Sequence, residues 1–168
     1  MRSGMPGRGG LGTSVATAML GYAMMGWAMG SMNSSALVMR AALGLGETEA
    51  YSDTVWGLLI SIYGVGAMIG CSMSAQLADQ LGRVAFVAIT GILFVVAAAL
   101  MTTAVLGGSA GIALMLVGRF LAGAASGGIT VVMPAYLSEI APIELRGALS
   151  ISMQLVSVVS LLGVQVII

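Results

Sequence analysis

Long apolar stretches with brief polar interruptions run along most of the chain, and their lengths predict helices rather than strands. Crossing a bilayer takes about 20 mainly apolar residues. Five stretches reach that length, roughly residues 15–38, 55–77, 84–106, 112–137 and 148–168. The pattern predicts an all-α polytopic membrane protein with about five transmembrane helices. One connection, 40–54, is long and polar and carries Glu47, Glu49 and Asp53. Gly82 marks a tight turn between spans two and three, and Pro142 a helix stop just after Glu139. Trp56, at the start of span two, is placed as an interfacial anchor. The first stretch is long, glycine-rich and continues into further membrane-like sequence, so it reads as a retained span rather than a cleaved signal peptide.

Composition narrows the function classes. Of 168 residues, 59% are hydrophobic and 7% charged, where a soluble domain carries about 25% charged residues. All six cations are arginines, histidine is absent and the net charge is zero, which gives no reason to expect nucleic acid as a partner. A lone cysteine, Cys71, excludes an internal disulfide and reads as a small apolar filler. No ligand set for zinc, haem or an iron–sulfur cluster is present, and the fourteen methionines read as adaptable packing in lipid. No nucleophile–base set and no phosphate loop occur, so neither enzymatic activity nor a cofactor is expected.

The arginines set the expected orientation. With the amino terminus in the cytoplasm, residues 1–14 form a cytoplasmic tail, and Arg2, Arg8, Arg83 and Arg146 all fall inside. Arg40 then lies outside with the acidic connection, and Arg119 lies in the outer half of span four. Glycines recur at small-xxx-small spacing: Gly26 and Gly30, Gly66 and Gly70, Gly123 and Gly127. Such stripes let helix backbones approach closely in lipid and by themselves show packing, not function.

Four charges sit at the wrong helix ends. Asp79 and Glu139 lie at carboxyl ends, already partly negative, while Arg83 and Arg146 lie at partly positive amino ends. Mutual pairing at the cytosolic face would relieve all four, which predicts a cluster of Asp79, Arg83, Glu139 and Arg146. The plainer reading is solvated loop charges without partners, and Glu144 is one of those. Arg119, inside a span, is expected to face the bundle interior or to snorkel to the outer interface.

One combination of residues is specific. Gly118-Arg119-Phe120 precedes Leu121-Ala122-Gly123-Ala124-Ala125-Ser126-Gly127, followed by Pro134-x-Tyr136-x-x-Glu139 and Pro142-x-x-x-Arg146-Gly147. This spacing resembles the signature of the sugar-porter branch of the major facilitator superfamily, close in style to the facilitative glucose transporters. Gly26-Trp27-Ala28-Met29-Gly30-Ser31-Met32-Asn33 and 61–70 resemble that family's first and second helices. Residues 75–84 resemble its loop between helices two and three, keeping Asp79, Gly82 and Arg83 but departing at Ala75, Gln80 and Val84. The likeness extends from about residue 15 to the end. It implies the partial amino-terminal six-helix half of a major facilitator fold, covering helices one to five. It also implies that Glu139 and Arg146 act as cytosolic gate partners, with Asp79 and Arg83 as the neighbouring latch.

A sugar needs paired donors and acceptors, and an amide supplies both. Gln154 and Gln165 stand eleven residues apart on span five, which brings them within about 20° of one helix face. Ser150, Ser157 and Leu161 lie near that face. The resemblance places Gln154 at the family's sugar-contacting glutamine, eight residues after Arg146. Gln154, Gln165 and, more weakly, Asn33 are the candidate substrate contacts; the plainer alternative is interhelix hydrogen bonding. Proton-coupled members of the branch carry an aspartate where this chain has Ala28, which favours facilitated diffusion over proton symport.

The family's substrate lies between two six-helix halves, and this chain ends within an apolar run, 161–168. The expectation is an incomplete fragment of a hexose transporter in the plasma membrane, its partners being the bilayer, a small-molecule sugar and a missing carboxyl-terminal half. The alternatives are a non-transporting truncated protein that associates with a full-length relative, and a fragment of a proton-coupled symporter.

Overall fold

A computed structural model of the chain describes residues 8–43, 50–106 and 110–167. Among these residues every regular element is helical: α1 (Arg8–Ser34), α2 (Ala36–Ala42), α3 (Ala50–Leu81), α4 (Arg83–Leu106), α5 (Gly111–Ile140) and α6 (Ile143–Ile167). Four of them, α3 to α6, are long and apolar enough to cross a membrane. The protein is thus an integral, multi-pass membrane protein. The helix of the first span, α1, has 27 residues, about 40 Å at 1.5 Å per residue. Glycine, serine, tyrosine and tryptophan dilute its apolar character.

Boundaries follow local chemistry. Gly82 alone separates α3 from α4, and its φ of +85° is the left-handed conformation that favours glycine. Ala141 is extended (φ −84°, ψ 143°), as the residue before a proline tends to be, and it ends α5 before Pro142. Two boundaries differ from the sequence pattern. The first span is broken at Ser35 (φ −93°, ψ 14°), which separates α1 from α2. Just before the break, Ser31 Oγ donates to the Ala28 carbonyl (3.3 Å) and Ser34 Oγ to the Gly30 carbonyl (3.4 Å), bonds that bend helices. The polar connection is also shorter than 40–54: Arg40 lies on α2, and Asp53 and Thr54 lie in α3. Glu47 and Glu49 fall outside the described residues.

At the centre stands α5, with fourteen buried residues against three on α6. It packs in parallel with α3 and antiparallel to α4, while α1 packs in parallel with α6. Glycines set these distances. A Cβ on Gly66 or Gly70 would overlap the carbonyl oxygens of Phe120 and Ala124. A Cβ on Gly123 or Gly127 would overlap those of Tyr63 and Ala67, so α3 and α5 notch each other reciprocally. On the other side, a Cβ on Gly26 would overlap the Ser157 carbonyl, and one on Gly30 would lie 3.1 Å from that of Leu161.

Candidate functional site

The two ends of the bundle carry separate charged assemblies. At one end, the last turns of α3 and α5 meet the first turns of α4 and α6. Arg83, the first residue of α4, reaches across to Glu139 near the end of α5, Nη2 to Oε1 2.7 Å. Each thereby relieves the other's unfavourable helix end. Arg146, the fourth residue of α6, instead donates from Nε to the Ala141 carbonyl at 3.1 Å. Asp79 is exposed, and among the described residues the ion pairs are Arg83–Glu139 and Arg40–Asp53. The structure therefore brings two of the four clustered charges into contact and leaves Asp79 and Arg146 outside that pair.

Behind the Arg83–Glu139 pair lies a cavity of about 570 Å³, walled by Thr13, Ser14 and Thr17 of α1, Arg83 and Val87 of α4, and Tyr136 of α5. Ser14 Oγ and the Tyr136 hydroxyl share a hydrogen bond of 3.1 Å. Sequence reasoning missed this contact, because 122 residues separate its partners. In the sequence Tyr136 stands out only as a motif position.

Arg119 organises the middle of the bundle. It is 3% exposed, so it faces the bundle rather than snorkelling to an interface. Its Nη1 donates to the Ala28 carbonyl on α1 at 3.1 Å, and its guanidinium carbon lies 5.9 Å from the Tyr63 ring centroid on α3. Tyr63 in turn donates to Ser126 Oγ at 2.6 Å, and Ser126 to the Ala122 carbonyl at 2.8 Å. Three helices are thus tied by one polar chain. The Arg119 Nε is buried without a hydrogen-bond partner. Arg119 also lines a cavity of about 280 Å³ between α1, α2 and α4, with Ala28, Ser31, Met39 and Ala122 among the walls.

The candidate sugar contacts lie elsewhere. Gln154, Gln165 and Asn33 are all exposed, and both of these cavities are lined by other residues. Ser157 does not share their face: it is 7% exposed and packs on Gly26. The parallel register that sets Gly30 beside Leu161 and Val164 brings Asn33 level with the Gln165 turn. Trp56 also departs from its expected role. It is 6% exposed, clusters with Met32, Leu59 and Met115, and lies 5.2 Å beneath the Arg40 guanidinium. A ring stacked under a cation and packed among methionines is a core residue, not an interfacial anchor.

The sequence is similar to those of known proteins. Residues 13–168 match the family described as "Sugar (and other) transporter". The chain belongs to that family. It is 33% identical to the human "Solute carrier family 2, facilitated glucose transporter member 4" over 95% of its own length. It is 37% identical to the Staphylococcus epidermidis "Glucose transporter GlcP" over 67% of its length. It is 32% identical to the Arabidopsis thaliana "Plastidic glucose transporter 4" over 89%. It covers 33%, 24% and 26% of those relatives, so it spans about a quarter to a third of their lengths. The residues that carry the resemblance, Gly118 to Gly147, run along α5 into the start of α6, where Glu139 and Arg146 stand.

Proposed function

We propose that this chain is the amino-terminal part of a transporter that moves a hexose-type sugar by facilitated diffusion through alternating access, and that it has no enzymatic role. The observation that carries the mode of transport is the setting of Arg119. Among the described residues its guanidinium donates to a backbone carbonyl, that of Ala28, and the residues lining the cavity around it include no carboxylate. A carboxylate at position 28 would give this cation a titrating partner; the alanine there supports facilitated diffusion over proton symport. The printed names of the relatives, all glucose transporters, support the hexose class.

In this reading the amino terminus is cytoplasmic and the membrane is the plasma membrane. The Arg83–Glu139 pair, with Asp79 and Arg146 beside it, is a cytosolic gate that holds the outward-facing state. Gln154 on the open face of α6 meets the sugar once a second half covers that face, with Gln165 and Asn33 further along the same groove. The partner that covers that face is a second transporter half or, in the alternative reading, a full-length relative.

The test is uptake of D-glucose over L-glucose in proteoliposomes that hold this chain together with its second half. Uptake is expected without an imposed proton gradient, and a requirement for one would overturn facilitated diffusion. Residues 1–168 alone are expected to give no saturable flux. Gln154→Ala is expected to weaken sugar affinity roughly tenfold, the scale of a lost buried hydrogen bond, with unchanged membrane delivery; unaltered uptake would remove Gln154 from the site.

A further inference from the structure

A charge buried in a protein normally has a counter-charge beside it or a full set of hydrogen-bond acceptors. Among the described residues Arg119 has neither. It is almost wholly buried on α5, and the ion pairs are formed by other residues. Its Nη1 donates to the Ala28 carbonyl, and the Tyr63 ring faces its guanidinium. Its Nε is buried with no acceptor. A guanidinium cannot shed its proton to escape the penalty. A carbonyl dipole and a ring face soften the positive charge without cancelling it.

The space for a counter-charge lies next to it. Arg119 lines the cavity of about 280 Å³ with Trp27, Ala28 and Ser31 of α1 and Phe94 and Met101 of α4. A water takes about 30 Å³ in the liquid, so room is not limiting. The Trp27 indole can only donate. The Ser31 hydroxyl makes a long bond of 3.3 Å to the Ala28 carbonyl, and its proton can turn into the cavity instead. The aromatic and thioether walls keep the local dielectric low, where opposite charges attract more strongly than in water. Water or a neutral sugar could accept from Nε but would leave the charge uncancelled. One positive charge calls for one negative charge, and apolar walls make a divalent or strongly hydrated anion costly to admit.

We infer that the Arg119 cavity is a binding site for a small, singly charged anion of the halide class, held by the Arg119 guanidinium with Trp27 and Ser31 as further donors. The anion supplies the negative charge that the cavity walls do not. The site goes beyond the sugar reading and stands whether or not that reading holds.

The experiment uses the full chain in detergent. Thermal unfolding is followed in sodium chloride and in the sodium salt of a bulky morpholine sulfonate, at equal ionic strength. Chloride is expected to raise the midpoint by about 2–4 °C, the scale of one occupied site in a chain of this size. Arg119→Gln, which keeps donors but removes the charge, is expected to lose the increment. Ala28→Asp, which sets a carboxylate beside the guanidinium, is expected to lose it as well. Iodide is expected to quench tryptophan fluorescence with a saturating component that Trp27→Phe and Arg119→Gln abolish. If Arg119→Gln does not fold, Ala28→Asp and the loss of saturable quenching in Trp27→Phe carry the test. Equal midpoints in the two salts overturn the anion site. A chloride increment that survives in either variant overturns it too, because that is a general effect of salt. An equal increment from D-glucose in the sulfonate salt also overturns it, because a neutral acceptor would then suffice.

Discussion

Between α3 and α5 both helices are notched; between α1 and α6 only α1 is. On the first seam Gly66 and Gly70 receive the α5 backbone, while Gly123 and Gly127 receive that of α3. The Tyr63 hydroxyl on Ser126 and the Cys71 thiol on the Gly127 carbonyl (3.3 Å) bridge it. On the second seam Gly26 and Gly30 meet Ser157, Leu161 and Val164 of an otherwise unnotched helix. Lipid gives apolar helices no drive to associate, so close approach and interhelical hydrogen bonds supply the stability. The comparison teaches that the α3–α5 seam is locked from both sides, while the α1–α6 seam is as close at Gly26 but notched from one side only.

The sharpest way to break that contrast is to fill a notch on each seam. Gly127→Leu puts a side chain where the Ala67 carbonyl lies, and neither backbone can rotate away. A loss of about 3 kcal/mol, or of folded protein altogether, is expected from thermal denaturation in detergent. Gly26→Leu should cost about half as much, because that seam is notched from one side only; equal losses would erase the distinction. A smaller effect comes from Tyr63→Phe, which deletes the hydroxyl bonded to Ser126 and should cost about 1 kcal/mol. No change there would mean that the glycines alone lock the first seam. The smallest effect has the opposite sign. Gly163→Ala adds a methyl group where nothing lies within 4 Å and should stabilise the chain by about 0.5–1 kcal/mol. A loss at this position would show that the open face of α6 is covered when the protein is assembled.

Much of the frame was legible in the order of residues. Gly82 and Pro142 mark their helix ends by backbone chemistry that needs no tertiary context, and the glycine spacing announces close seams. What the order of residues does not carry is who meets whom. Glu139 and Arg146 are seven residues apart, which suggested partners. Yet the break at Ala141 and Pro142 aims them apart, and Arg83 from a different hairpin takes the carboxylate. Ser157 lies about 60° around the helix from Gln154, close enough to share a face on paper. The notch at Gly26 draws α1 onto Ser157 and leaves Gln154 in the open. Trp56 was legible as an aromatic at a span's edge, but the short helix that lays Arg40 over it is encoded by hydroxyl bonding around Ser31 and Ser34, a signal with no apolar periodicity.

The single left-handed glycine between α3 and α4 bears on how the chain is made. With only Gly82 in the turn, no polar loop separates the two spans, and Arg83 follows at once. A turn of one residue leaves no slack between the two spans, so the depth at which α3 sits in the bilayer sets the depth of α4, and an insertion step that misplaced one helix would misplace the other.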